Sequence, residues 1–239
     1  MPSDRPFPLP RARRAGALVA VAVLATALGA GCGDLDDAEQ GVTRNDLVTD
    51  LAVQLGRSTA LTYSATYRVA GGSTATLVQA QEPARSALVF PDGKVTVTAD
   101  ATTECRTAAK SLTCTMKPPP APTSRPAAVL FAGAGRRGMI DPTTVLDMLN
   151  AAGLNADAAV TQHDTTIAGR YATCVDVGDA TDAAESRFQA CITNDGVLAS
   201  FTGQLDGGKV DVAMTRFEDT VDGTVFDPPP TATVIDRRR

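Results

Sequence analysis

Cysteine has the clearest chemistry of the residue types in this chain, which contains five cysteines and one histidine. Four of the cysteines follow residue 100, at Cys105, Cys114, Cys174 and Cys191. In an exported chain an even number of cysteines is typical of disulfides. Three connectivities can be drawn, and the local one, Cys105 with Cys114 and Cys174 with Cys191, is favoured because each pair falls within one expected hairpin. Zinc is the alternative, but no Cys-x-x-Cys spacing occurs and His163 lies outside both hairpins. We therefore predict two disulfides and no metal site.

The fifth cysteine, Cys32, ends a segment that predicts export. Arg11, Arg13 and Arg14 form a basic region, and an apolar run follows from Ala15 to the small residues before Cys32. This order is typical of a secretory signal. At ~1.5 Å per residue, the apolar run is too short to be a comfortable transmembrane helix.

The segment from Leu28 to Cys32 resembles the lipobox of bacterial lipoproteins, although that family prefers its leucine one position closer to the cysteine. The resemblance implies that residues 1–31 are a signal peptide and that Cys32 becomes the lipid anchor, carrying a diacylglycerol and palmitate. The mature protein would then be held on the extracytoplasmic face of the cell membrane. The alternative is an ordinary secreted protein cleaved after Ala27, with Cys32 as a free thiol.

The charge of the chain argues against nucleic acid as a partner. Its formal net charge is −5, and removal of residues 1–31, which hold four arginines and one aspartate, would make the mature chain more acidic still. Nucleic-acid binding needs a clustered basic face, and an acidic chain has no charge attraction for an anionic membrane surface. Tryptophan is absent, and aromatic residues make up only 4% of the chain, so a stable core depends on close packing of small side chains.

One segment has the spacing of a dinucleotide-binding loop. Residues 133–138 (GAGRRG) fit the pattern G-x-G-x-x-G. That chemistry requires a helix that opens within the glycines, so that its first turn meets the pyrophosphate. The next helix signal comes only at Asp141 and Pro142. We interpret residues 133–138 as a glycine-rich loop near a pocket mouth.

No arrangement of residues in the sequence predicts catalysis. Acid–base chemistry needs a histidine with a partner or a buried pair of carboxylates, but His163 lies in a polar run and most of the acids fall in turns. The acidic residues 34–39 lack the spacing of a calcium loop. We expect a protein that is not an enzyme and that uses no cofactor and no metal.

Two short helices and about ten strands follow from the hydrophobic pattern. Residues 43–56 have leucines at every fourth position, which indicates a helix with one apolar stripe. Residues 61–69 alternate without a break between apolar and polar side chains, which indicates a strand with one buried face. Further strands are expected at residues 74–80, 86–90, 95–99, 158–167, 170–177, 186–193, 197–203 and 209–217, and in a hairpin closed by Cys105 and Cys114.

A proline-rich segment divides these strands. Residues 117–126 contain five prolines and predict a crossing loop. Asp141 and Pro142 then have the form of an N-cap and first residue of a helix that would end at Gly153. Residues 231–239 are expected to be a disordered tail.

This order of elements resembles the LolA/LolB lipoprotein carriers and the actinobacterial lipoproteins LppX and LprG. The resemblance implies an α+β fold in which a curved antiparallel sheet forms a half-barrel, with two short helices on its concave face. It also implies one domain over residues 43–230, preceded by a flexible tether at residues 32–42. A two-domain sandwich split near Pro118 is the alternative fold.

The same resemblance implies an acyl lipid or another apolar ligand between sheet and helices. The residues expected to line such a cavity are Leu61, Tyr63, Ala65, Tyr67, Phe188, Phe201, Val212 and Met214. The expected partners are therefore the cell membrane, through the lipid anchor, and a lipid ligand. The alternative is an envelope interaction or assembly lipoprotein with a closed core and no ligand; the sequence names no protein partner.

Overall fold

The computed structural model describes residues 46–109, 111–121, 126–155, 157–178, 187–205 and 208–239. The predicted signal peptide, the tether and the anchor residue Cys32 lie outside the described residues. Among the described residues, none of the helices combines the length and the hydropathy needed to cross a membrane.

A curved twelve-stranded sheet forms most of the domain. Its strands, in chain order, are β1 (Tyr63–Arg68), β2 (Thr74–Gln81), β3 (Ala84–Phe90), β4 (Gly93–Val97), β5 (Thr102–Ala108), β6 (Ser111–Lys117), β7 (Ala159–Ile167), β8 (Arg170–Gly178), β9 (Phe188–Thr193), β10 (Leu198–Leu205), β11 (Gly208–Glu218) and β12 (Thr233–Asp236). The strand order across the sheet is β12-β6-β5-β4-β3-β2-β1-β11-β10-β9-β8-β7. The expected strands are thus present, and short turns connect most of them.

Two meanders make up this sheet, and one non-local pairing joins them. Strands β1–β6 form the first meander and β7–β11 the second, with every pairing antiparallel. The first strand then pairs antiparallel with β11, with a register shift between Thr66 and Tyr67. The two meanders therefore form one continuous sheet and not the alternative fold, a two-domain sandwich split near Pro118.

Within the described residues, three α-helices lie against one face of the sheet, which we call the concave face. They are α1, of which residues 46–56 are described, α2 (Pro126–Leu130) and α3 (Pro142–Leu154). The predicted start of α3 is confirmed, since the Asp141 side chain accepts a hydrogen bond of 2.9 Å from the Thr143 backbone N–H. The predicted α+β half-barrel with short helices on its concave face is confirmed, with α2 as an addition to the two expected helices.

Connectivity explains why helices cover this face. The sixth strand lies near one end of the sheet, whereas β7 is the strand at the opposite end. The chain therefore has to cross the sheet between β6 and β7, and α2 and α3 lie between these two strands in sequence. Residues 118–120, all proline, belong to no strand, which is the expected behaviour of a residue without a backbone N–H.

The opposite, convex face is crossed by residues 219–232, which we call the C-terminal strap. Phe226 of the strap packs with Val78 and Ala87 in a small separate cluster. The Arg85 guanidinium lies 4.4 Å from the centroid of the Phe226 ring, and the Lys94 ammonium donates a hydrogen bond of 2.6 Å to the Val225 carbonyl. Apolar packing and a buried cation therefore hold the strap to the sheet.

The prediction of a disordered tail at residues 231–239 is wrong for Thr233–Asp236. These residues form β12, which pairs with β6 in parallel. The strap brings the end of the chain to the edge of the sheet, where β6 offers unpaired backbone groups. A short polar strand that satisfies those groups carries no hydrophobic alternation, so the sequence pattern did not show it.

Both predicted disulfides are confirmed. Cys105 pairs with Cys114 across β5 and β6, and Cys174 pairs with Cys191 across β8 and β9, each as directly opposite residues of neighbouring antiparallel strands. All four cysteines are buried, although the second pair lies on a face that also carries polar side chains such as Asp176. Each disulfide joins two adjacent strands of one meander.

Candidate functional site: the concave face

The first strand supplies the middle of the concave face. Its alternating side chains Tyr63, Ala65 and Tyr67 are 3%, 0% and 1% exposed, whereas Arg68 is exposed on the convex face. Leu61, just before the strand, is half-buried and packs against the same core. The unbroken alternation in the sequence thus corresponds to one buried face.

Strands from the second meander extend this surface. Met214 of β11 lies opposite Tyr67, and Phe201 of β10 lies between Val212 and Ala190 of its two neighbours. The Phe188 and Phe201 rings stack with their centroids 6.0 Å apart. The eight residues predicted to line a cavity therefore belong to one apolar cluster, and contact between these residues and a ligand stays a prediction.

The two tyrosine hydroxyls bring no charge to this surface. The Tyr67 hydroxyl donates a hydrogen bond of 2.9 Å to the Leu198 carbonyl, which satisfies it within the core. Burial raises the pKa of Tyr63, and burial together with the neighbouring Tyr63 raises the pKa of Tyr67. Both rings stay neutral at physiological pH, so they contribute to the concave face as apolar groups, and the polar end of Tyr67 is fixed by its hydrogen bond.

Gly203 is a residue of this surface that sequence reasoning missed. A Cβ atom at Gly203 would lie 3.0 Å from Phe201 Cζ and 3.2 Å from Phe188 Cβ. The absence of a side chain thus makes room for the ring pair. A glycine within a strand pattern is the signal that could have identified this position.

Two glutamines that the sequence analysis did not single out, Gln79 and Gln81, lie at the end of the concave face near Leu61. The Gln79 side-chain amide donates to the Ser58 carbonyl at 2.8 Å and to the Leu61 carbonyl at 3.0 Å. The Gln81 amide donates to the Thr59 carbonyl at 3.0 Å and also reaches Leu61. These bonds tie the turn that follows α1 to β2, since they satisfy carbonyl groups that have no strand partner.

The helices fill the concave face more completely than the sequence suggested. In α3, the side chains of Val145, Met148 and Leu149 are buried. Outside α1 and α3, further buried side chains come from residues that the sequence assigned to no helix: Leu130, Phe131, Ala134, Met139 and Ile140. Side chains of the helices and of the residues between them therefore cover the concave face over much of its area.

Two clefts of the described residues lie at the surface and not within this core. One has a volume of about 450 Å³ and borders the glycine-rich loop; the other, of about 420 Å³, includes Thr62, Gln81 and Arg85. The glycine-rich loop forms a single 3-10 turn, Gly135–Arg137, and α3 begins only at Pro142. Residues 133–138 therefore lack the helix that a dinucleotide site requires.

His163 lies on the exposed end strand β7 and not in the core. Its Nδ1 atom is 3.3 Å from Asp176 Oδ2, a partner that the sequence did not indicate, and both side chains are about half exposed. Among the described residues, no group of three or more histidine, cysteine, aspartate or glutamate side chains is arranged to hold a metal ion.

The comparisons with known proteins give the fold and no family assignment. No protein-family model matches the chain, and no curated protein matches it. Among solved structures, it is similar to the crystal structure of MucB, with a TM-score of 0.50 and 13% identity, over 79% of this chain and 65% of that one. An uncharacterized conserved protein from Thermus thermophilus matches at a TM-score of 0.46 and 10% identity, over 79% and 98% of the two chains. The chain thus spans about two thirds of the length of MucB, and the described domain has a LolA/MucB-like fold.

Proposed function

We propose that this chain is an exported, lipid-anchored binding protein that holds an acyl lipid or another apolar ligand between the concave face and the helices, without enzymatic activity. The observation that carries the proposal is the composition of the concave face. Neutral rings and small side chains form a continuous apolar surface there, and short helices cover it where a second sheet would cover it in a sandwich. Curved sheets of this kind are frequent ligand sites.

A ligand can take the place of the helices that cover the concave face, which we call the cover. The helices lie outside the hydrogen-bonded ladder, so they touch the strands through side chains such as Val145, Met148 and Leu149. An acyl chain is as apolar as these side chains, so exchanging helix contacts for lipid contacts changes the hydrophobic free energy little. Ligand entry then requires displacement of helices and leaves the sheet intact.

Small residues on the sheet favour an extended ligand. Ala65, Ala75 and Ala190 are at most 1% exposed on the concave face, between the rings of neighbouring positions. When the cover moves, these alanines leave a shallow groove framed by the rings. Such a groove suits a thin flexible chain better than a broad rigid molecule.

Native mass spectrometry of the purified protein tests the proposal. We expect adducts with the mass of one lipid or fatty acid on the wild-type chain, which disappear after delipidation and return when lipid is added. A spectrum that shows only the bare chain, before and after incubation with lipid extract, would contradict ligand binding.

The membrane anchor has a separate test. In cells, the wild-type protein should partition into detergent, and Cys32→Ala should be released or stay unprocessed, because the variant has no thiol to acylate. A wild-type mature protein that is water-soluble and begins before Cys32 would contradict the anchor while leaving the ligand proposal untouched.

One observation favours a second candidate function, that of an interaction or assembly protein with a closed core. Seven of the eight predicted lining residues are 0–4% exposed in the described structure, with Leu61 the exception. If the helices never move, the interior is inaccessible to a ligand and the protein acts through its surface. The first prediction in the Discussion distinguishes the two candidates.

A further inference from the structure

The glycine-rich loop borders a cleft at one end of the concave face, which we call the rim cleft. It has a volume of about 450 Å³ and is lined by the turn after β1, the turn between β3 and β4, the glycine-rich loop and the start of β11. The side chains that bear on its chemistry are those of Phe90, Asp92, Arg136, Arg137 and Lys209. The rim cleft is therefore assembled from four separate segments of the chain.

The rim cleft is positively charged in a protein of formal net charge −5. Of the described residues that line it, three have cationic side chains, Arg136, Arg137 and Lys209, and one is an acid, Asp92. Lys209 also lies 3.9 Å from Asp211, but both side chains are well exposed, and an exposed pair of this kind contributes little. Arg136 makes no ion pair with any residue that the structure describes. A surplus of positive charge in a concave site attracts anions.

Two features hold the arginines in place. The Arg137 guanidinium lies 4.6 Å from the centroid of the Phe90 ring and 3.3 Å from Asp92 Oδ2, and only 28% of the side chain is exposed. One carboxylate contact leaves further N–H donors of this guanidinium available. At Gly133, where φ is +78°, a Cβ atom would lie 2.9 Å from Arg136 Nη2, so glycine leaves room for that side chain over the loop.

Phe90 connects the rim cleft with the interior. This ring lines the cleft, yet it is only 7% exposed and belongs to the same buried cluster as Val69 and Met139. A Cβ atom at Gly138 would lie 3.4 Å from Val69 Cβ, so the glycine-rich loop rests directly on the end of β1. The charged cleft and the apolar interior thus meet at one ring.

We infer that the rim cleft binds the anionic headgroup, a phosphate or a carboxylate, of an amphiphile whose acyl chain passes Phe90 into the interior. The inference rests on the proposed function and narrows its ligand to anionic lipids. Arginine forms paired hydrogen bonds with such oxyanions. Arg136, which has no ion pair within the described residues, lies beside Arg137, which Phe90 and Asp92 hold in place, so the cleft offers two guanidinium groups. The Arg137 contact with Asp92 keeps one guanidinium fixed, Arg136 supplies a second guanidinium, and Lys209, whose contact with Asp211 is exposed and weak, adds a further positive charge.

Equilibrium dialysis of the delipidated full-length protein against three probes tests this inference. The probes are dodecyl phosphate, dodecan-1-ol and inorganic phosphate, which supply chain with charge, chain alone and charge alone. The test variant is Arg136→Gln combined with Lys209→Gln. The control variant, Arg57→Gln combined with Arg216→Gln, removes the same charge from exposed positions that do not line the rim cleft.

We expect the wild type to bind dodecyl phosphate at least about tenfold more tightly than dodecan-1-ol, a difference of about 1.4 kcal/mol. The test variant should lose this preference while its affinity for dodecan-1-ol stays unchanged, and the control variant should keep it. Equal affinity of the wild type for the two dodecyl compounds would overturn the headgroup site and leave the proposed function standing.

The remaining outcomes also discriminate. Inorganic phosphate that binds as tightly as dodecyl phosphate would show a site for free phosphate and overturn the assignment to a lipid headgroup. Absence of binding by both dodecyl compounds would overturn the proposed function itself, and the inference with it.

Discussion

Replacement of Ala65 by tryptophan distinguishes a ligand-binding interior from a closed core. Ala65 is 0% exposed and lies between Leu77 of β2 and Phe217 of β11 in the cross-strand register. The indole of Ala65→Trp therefore has to enter the space between sheet and helices. Because the chain contains no tryptophan, the new side chain is also a unique fluorescent reporter of that space.

The expected loss of stability depends on whether the helices can move. In a closed core, overpacking by a side chain of this size costs about 1–3 kcal/mol, and each kcal/mol shifts the melting temperature of a domain of this length by about 2–4 °C. If the cover moves aside for a ligand, the indole takes the place of the ligand. Delipidated Ala65→Trp should then lose less than about 1 kcal/mol and should no longer retain lipid.

Ala87→Trp is the matched control. Ala87 is also 0% exposed, but it lies on the convex face under the C-terminal strap, beside Phe226. We expect this variant to show the full overpacking cost of about 1–3 kcal/mol while it still retains lipid. Thermal unfolding of the delipidated proteins measures stability, since bound lipid would itself raise the melting temperature, and native mass spectrometry measures retained lipid.

One combination of results would refute the reasoning. If Ala65→Trp loses as much stability as Ala87→Trp, and the wild type carries no lipid, the interior is a closed core. The protein would then act through its surface, which is the second candidate function.

Three further predictions concern stability. Replacing either cysteine pair, Cys105–Cys114 or Cys174–Cys191, by alanines should lower the free energy of unfolding by about 2–3 kcal/mol in denaturant titrations. The reason is that the pairs close loops with sequence separations of 9 and 17. No change for either pair would contradict this chain-entropy argument. Gly203→Ala should lower the free energy of unfolding by about 1–3 kcal/mol, because the new methyl group crowds the stacked phenylalanines. The control Gly178→Ala, whose Cβ would lie 4.0 Å from its nearest neighbour, should lose less stability. Equal losses of stability would reject the role of Gly203. Lys94→Met removes the ammonium that donates hydrogen bonds to two carbonyls of the strap. It should lower the free energy of unfolding by about 1–3 kcal/mol and speed proteolysis within residues 219–232. An unchanged cleavage rate would show that packing alone holds the strap.

Local rules account for much of the fold and of the candidate site. The alternation of residues 61–69 depends on the two-residue period of a strand, and the start of α3 depends on a cap formed within three residues. The Cys105–Cys114 disulfide followed from its hairpin, because residues joined by a short turn are brought opposite each other by the turn itself. The Cys174–Cys191 disulfide followed from the expected pairing of two strands that are consecutive in the chain. The apolar face of each strand is also a local property. Seven of the eight predicted lining residues lie in the buried core, and Leu61, half-buried, packs against it.

The tertiary structure decided what lies opposite those faces. The pairing of β1 with β11 joins residues about 150 positions apart, and no local pattern selects it over other strand pairs. The burial of Met139 and Ile140, the room left by Gly203 for two rings, and the pairing of β12 with β6 likewise depend on which segments the chain brings together. A sequence pattern indicates the preferences of one segment and its near neighbours. How the concave face is filled depends instead on the packing of all segments at once, because each side chain occupies space that another must leave free.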